Sequence, residues 1–338
     1  MRSSSFPLLI AAGLALAVTP LSAQTPPPII DMHLHALPAD AQGPPPLAMC
    51  TPIPAMGTTT GEAWPETFMA VMKDPRCEDP VWSPETDEEV MRRSLDILER
   101  RNIYAVTSGS ATRVARWSEA APDRIIPALA LNVASEPASP ERLRELHADG
   151  RLEVLGEVTN QYAGVEATDP RFEPYLALAE ELDIPVGIHI GTGPPGSPYL
   201  GFPEYRARLH SPLQLEEALV RHPGLRVYVM HAGWPMLDDM LAVLHTHPQV
   251  YVDVGVIVYF LPRAEFYRYL RTLVEAGFGH RVLFGSDQMV WPETIERAIA
   301  VIEEAPFLSE RQKRAILFDN AVRFLDLTED QVAAMKDG

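Results

Sequence analysis

Residues 225–254, LRVYVMHAGWPMLDDMLAVLHTHPQVYVDV, hold one complete structural unit. Positions 227–231 form an apolar, valine-rich run that ends in His231. Positions 236–244 space their apolar residues as a helix does, and 250–254 return to a valine-rich run. Runs that are apolar on both faces belong to parallel strands covered by helices, and strand–helix–strand is the repeating piece of an α/β fold. Working outward, the unit recurs. Strands are predicted over 29–33, 104–108, 125–131, 152–158, 186–190 and 282–285. Helices are predicted over 88–101, 140–147, 171–182, 213–221, 264–275, 293–304 and 310–324.

Eight strands, each followed by a helix, is the number that closes a parallel barrel. The expected fold is therefore α/β, a (β/α)8 TIM barrel. An open, doubly wound sheet is disfavoured because no glycine-rich phosphate turn follows the first strand. Two connections are far longer than the usual βα loop. One, 36–86, is Pro-dense and holds both cysteines; the other, 191–211, reads GTGPPGSPYLGFPEYRARLHS. Both leave the C-terminal ends of strands, where barrel enzymes build their sites. The first is read as a capping insertion and not as a disordered linker, because it carries aromatic residues and a cysteine pair.

Residues 1–23 read as a secretory signal peptide. Arg2 precedes an apolar run over 6–18, and Leu21-Ser22-Ala23 supplies a small-x-small cleavage site. The run is shorter than the roughly 20 residues that span a bilayer. The mature chain, 24–338, is expected to be a single barrel domain, secreted or periplasmic, with no later segment that anchors it in a membrane. In that oxidising setting Cys50 and Cys77 are expected to pair. The formal net charge is −18, from 46 acidic and 28 basic residues. Such a surface repels phosphate backbones and anionic headgroups, so neither nucleic acid nor a membrane surface is an expected partner. A small-molecule substrate is.

The chemistry-bearing residues stand where strands end. Asp31-Met32-His33-Leu34-His35 closes the first strand, and the strand period of two sends His33 and His35 to one side. His-x-His alone is a weak signal, and His245-Thr246-His247 repeats it. That copy falls between a helix and the next strand, at the opposite end of the barrel, and is read as surface. The first pair gains weight from its company. His189 ends strand five, His231 strand six and Asp287 strand eight, while Glu157 lies near the end of strand four. Potential ligands ending five strands at one barrel face make a constellation. Asp253, Trp234 and Trp291 also fall near that face, but capping or core packing explains them as well.

DMHLH, GIHIG, VMHAGWP and LFGSDQ, at strands one, five, six and eight, resemble the amidohydrolase superfamily. The likeness is greatest to its amidohydrolase-related (amidohydrolase 2) branch of hydrolases and decarboxylases, and it covers nearly the whole mature chain. The resemblance implies that His33, His35, His189 and Asp287 bind a catalytic divalent metal, and that His231 faces the substrate. Glu157 joins the metal residues as a bridge between two ions; with a single ion it would instead stand behind the ligands or contact the substrate. Histidine and carboxylate ligands suit zinc best, with manganese or iron compatible. Asp287 would also take a proton from a water activated by the metal.

The expected activity is hydrolysis of a carboxylic ester, lactone or amide. Two alternatives stand beside it. One is non-oxidative decarboxylation of an unsaturated or aromatic acid; the other is a catalytically dead periplasmic binding protein on the same barrel. The export signal favours hydrolysis of scavenged compounds. A dead barrel would not need both His231 and Asp287.

Overall fold

The computed structural model describes residues 25–56 and 61–337; the expected signal peptide lies outside them. The barrel strands are β1 (Ile29–Ala36), β2 (Ile103–Gly109), β3 (Ile125–Leu131), β4 (Val154–Val158), β5 (Val186–His189), β6 (Val227–Met230), β7 (Val250–Asp253) and β8 (Val282–Leu283). Each pairs in parallel with the next. Two backbone bonds bring β8 round to β1. Met32 N–H donates to Phe284 O at 2.8 Å, and Asp287 N–H to His33 O at 2.6 Å. The helices that follow the strands are α1 (Asp87–Arg100), α2 (Ala111–Ala120), α3 (Pro140–Ala148), α4 (Glu173–Glu181), α5 (Glu216–Arg221), α6 (Leu237–Thr246), α7 (Arg263–Leu273) and α8 (Thr294–Glu303). The first three start on Thr86, Ser110 and Ser139, whose side chains accept backbone N–H bonds from the opening turn.

The predicted α/β barrel is the observed one. The helix expected over 310–324 is broken by a π turn, Ala315–Asp319. The strands divide the core in two. Ile29, Leu34, Ala36, Val186, Ile188, Val227 and Val229 pack outward against the helices. Ile30, Met32, Val106, Val154, Tyr228, Met230 and Leu283 fill the barrel interior, where Phe318, Phe324 and Met335 of the C-terminal helices join them. The interior is thus a packed plug, as small parallel barrels require. The site stands above it.

Two irregularities in the ladder aim the site. Register shifts fall between Asp31 and Leu34 on β1 and between Leu155 and Val158 on β4. Strict alternation from Ile30 and Met32 would turn His33 outward, and alternation from Val154 would do the same to Glu157. One extra residue in a strand reverses the parity, and both side chains face the mouth.

The described residues of the insertion at 36–86 are ordered by three devices. A two-residue antiparallel ladder pairs Ala48–Met49 with Val81–Trp82, a helix spans Trp64–Lys73, and a disulfide joins Cys50 to Cys77. The expected cysteine pairing is present. The insertion also grips its surroundings: Trp64 Nε1–H donates to Pro195 O at 2.6 Å, reaching the second long loop. Trp291 Nε1–H donates to Leu47 O at 2.9 Å. Trp291 is therefore an anchor for the insertion, buried in the core.

Candidate metal centre

Six side chains chosen from the sequence meet at the C-terminal mouth of the barrel. His33 Nε2 and His35 Nε2 stand 3.2 Å apart. Asp287 Oδ1 lies 3.0 Å from His35 Nε2 and 3.7 Å from His33 Nε2. Glu157 Oε2 approaches the same nitrogens at 3.5 and 4.0 Å. The other oxygen of Glu157 faces a second pair. Its Oε1 lies 2.5 Å from His189 Nδ1 and 3.8 Å from His231 Nε2, and those two nitrogens are 3.0 Å apart. One carboxylate thus stands between two histidine pairs.

The supports come from β7 and β8. Asp253, fully buried, accepts from His33 Nδ1–H through Oδ2 at 3.1 Å. Its Oδ1 accepts from the backbone N–H of His231 at 3.1 Å and of Gly255 at 2.7 Å. A proton on His33 Nδ1 leaves the Nε2 lone pair for the cluster, which is how a carboxylate behind a ligating histidine acts. His231 is held similarly: its Nδ1–H donates to Gly255 O at 2.9 Å, so Nε2 points to the cluster free of that proton. Gly255 has no room for a side chain, since a Cβ there would fall 2.6 Å from His33 Nδ1. Asp31 joins the strand ends, its Oδ1 accepting from His33 N–H at 3.0 Å and Ser286 N–H at 2.9 Å. Sequence reading set Asp253 aside; its position at the end of a strand was the only available signal.

Burial and charge act against each other here. Burial alone would lower His33, yet Asp287 and Asp253 hold it up to about 10. Burial would raise Glu157, but hydrogen bonds from His189 and His231 hold it well below the usual carboxylate range. Asp287 is likewise held down against burial by His33 and His35. Burial, with His231 alongside, pushes His189 down.

The donor set fits a divalent cation. Three subsets could each hold an ion: His33, His231 and Asp287; His33, His35 and Glu157; and Glu157, His189 and His231. Within each, the ligand atoms lie inside 4.8 Å of one another. The 3.2 Å between His33 Nε2 and His35 Nε2 is close to the edge of about 3.4 Å made by two nitrogens bound tetrahedrally to one zinc at about 2.1 Å. Among the described residues His189 Nε2 is buried with no hydrogen-bond partner, so this ring is not held as an ordinary core histidine would be.

The repeated His-x-His behaves differently. His245 is exposed at the end of α6, while His247 is buried, its Nε2 3.4 Å from Glu216 Oε1. The expectation of two surface residues is corrected for His247, which docks α6 against α5. Trp234 donates to Glu265 Oε1 at 3.1 Å. Sequence reading also missed His210 and Tyr162. His210 is fully buried on the loop after β5. Burial, then His189, pushes it down to about 3. The Tyr162 ring meets that of His189 edge-on at 4.9 Å. A lone histidine in a loop over 191–211 gives no pattern by which to find it.

A family model described as Amidohydrolase matches residues 30–327. Among solved structures, an uncharacterised TIM-barrel protein from Bordetella bronchiseptica aligns with a TM-score of 0.57 at 20% identity, over 90% of this chain and 99% of that one. A probable 2-pyrone-4,6-dicarboxylic acid hydrolase from Acinetobacter baumannii aligns at 0.56 and 16%, over 88% and 99%. A 5-carboxyvanillate decarboxylase from Novosphingobium aromaticivorans, complexed with manganese, aligns at 0.56 and 11%, over 91% and 100%. At these identities the likeness carries the fold. No curated protein matches the sequence.

Proposed function

The chain belongs to the amidohydrolase family, and from that premise we propose that it is a metal-dependent hydrolase of a small carboxylic ester, lactone or amide. The observation that carries the proposal is the position of Glu157, one oxygen toward His33 and His35 and the other toward His189 and His231, with Asp287 completing the first group. His33, His35, Glu157, His189 and Asp287 would hold the metal, zinc by preference of the donor set. A divalent ion held there supplies Lewis-acid charge that makes water nucleophilic at neutral pH and polarises a carbonyl.

The chain's own groups do the rest. Asp287 presents Oδ1 to the histidine pair and keeps Oδ2 3.9 Å from His231 Nδ1. It accepts the proton of the attacking water and delivers it to the leaving oxygen or nitrogen. His231, whose Nδ1–H goes to Gly255 O, is held up against burial by Glu157 and Asp287, so it would also carry a proton on Nε2 and donate it to the charge that develops on the oxygen of the reacting carbonyl. The insertion and the loop over 191–211, tied through Trp64 and Pro195, exclude bulk water. We also infer export of the chain, on the strength of its first 23 residues and of the Cys50–Cys77 disulfide.

Metal analysis of the purified protein, with a screen of lactones, esters, amides and aromatic acids, tests the proposal. Metal in the protein and uptake of ¹⁸O from labelled water into a carboxylic product are expected. Carbon dioxide release without water uptake would establish the decarboxylase alternative. Metal-free protein that binds ligands without turnover would establish the binding protein.

A further inference from the structure

We propose that His210 is a positioning residue for His189, a ring nitrogen of His210 accepting the Nε2–H of His189 once His189 ligates metal through Nδ1. The inference rests on the reading of His189 as a ligand. His189 Nδ1 is the atom that faces Glu157 Oε1 and His231 Nε2, at 2.5 and 3.0 Å. A neutral imidazole carries one N–H, so a lone pair committed at Nδ1 places the proton on Nε2. That Nε2 is buried and has no partner among the described residues. A buried donor left without an acceptor is unfavourable, and ligating histidines almost always hand their second N–H to an acceptor.

His210 is built to be that acceptor. Its ring stands 5.5 Å from the His189 ring at an interplanar angle of 82°, so the two meet edge to face. It is fully buried, and apart from a loose approach to the Gly191 backbone neither ring nitrogen has a partner among the described residues. Neighbouring rings hold it in place. Tyr205 lies over it at 4.4 Å and 31°, with the Tyr205 hydroxyl accepting from Gly193 N–H at 2.7 Å. Tyr162 stands perpendicular to it at 6.0 Å. A rotation that brings an in-plane lone pair of His210 into line with the Nε2–H of His189 satisfies both imidazoles, with the remaining N–H of His210 directed at the Gly191 backbone. The loop over 191–211 is thereby fastened to the metal centre through one hydrogen bond.

The test is apparent zinc affinity by chelator competition for the parent, His210→Phe, His210→Gln and Tyr162→Phe proteins. His210→Phe keeps the ring and removes both nitrogens; affinity should fall about 10- to 100-fold, the usual effect of losing the group behind a ligating histidine. His210→Gln, whose amide oxygen can accept, should recover most of it, and Tyr162→Phe should match the parent. Histidine-selective ¹⁵N NMR of the zinc-loaded parent needs no variant, and should show His189 protonated at Nε2 with a coupling across to His210. Parent-like affinity in His210→Phe, or the loss appearing in Tyr162→Phe instead, overturns the assignment. A parent that binds no divalent ion overturns the metal reading first and this inference with it, and that result is read on the parent alone.

Discussion

Asp253→Asn separates positioning from bulk better than any other substitution in this site. Asp253 accepts three hydrogen bonds while fully buried. Asparagine is nearly isosteric, and its carbonyl oxygen can still accept from the N–H groups of His231 and Gly255. What changes is the atom facing His33 Nδ1. An NH₂ group there cannot accept, so His33 is driven to the tautomer with Nδ1 bare and the proton on Nε2, where the metal would sit. The lost bond joins an imidazole to a carboxylate, a class worth about 1.5–3 kcal/mol. If it is spent on holding the metal tautomer, zinc affinity should fall about 10- to 100-fold, or about 1.4–2.8 kcal/mol. Chelator competition measures this, and circular dichroism melting of the metal-free protein shows whether the barrel survives. Affinity equal to the parent refutes the tautomer argument. Equal losses of metal-free stability and of metal binding would make Asp253 a structural residue only.

His231→Ala should retain an ion at the His33, His35 and Asp287 group while losing turnover by about two to four orders of magnitude, the range of a positioned acid–base group; loss of metal as complete as in His33→Ala would make His231 a ligand. Glu157→Gln should lower metal content by disabling whichever group of histidines its altered atom faces, and unchanged stoichiometry by metal analysis would remove Glu157 from the ligands. In the metal-free protein Asp287 and Asp253, overriding burial, hold His33 up to about 10, so an ion entering between pH 7 and 9 must displace a proton. Affinity should climb about tenfold per pH unit there, with proton release seen by calorimetry in buffers of different ionisation heat, and a flat profile would refute it. The same raised value stabilises the metal-free fold fully below the unfolded value of about 6.5, and that contribution is lost as pH rises through 10.

The barrel was legible because buried parallel strands leave long apolar runs, and eight of them at even spacing admit few arrangements. The proposed ligands were legible only as strand-end residues. On β5, alternation is unbroken: Val186 and Ile188 pack outward and His189 therefore points in. His33 and Glu157 face the mouth because of register shifts that no hydrophobic pattern announces. Asp253 offered only its strand-end position and His210 no signal at all; their roles became visible only when β7 and a long loop were folded against β1 and β5.

The backbone supplies an independent argument that this cluster is more than a convenient meeting of polar side chains. His231, Val256 and Asp287 all hold φ between 50° and 60°. That left-handed region costs a non-glycine residue about 1–3 kcal/mol, and is least natural for a β-branched one such as valine. At His231 the turn takes place immediately after Met230, which still points into the plug, and without it alternation would send the imidazole outward. At Asp287 the strained residue donates its N–H to His33 O, so strain in the turn after β8 and the position of His33 are fixed by the same bond. Val256 follows Gly255, whose carbonyl and N–H hold His231 and Asp253. Three strained residues beside one cluster, each joined to it by a hydrogen bond or a neighbour, form a concentration that stability alone would not retain. A barrel kept only for ligand binding would relax these turns at little cost to its core, whereas a centre that needs His33, His231 and Asp287 within a few ångströms of one another has to keep them.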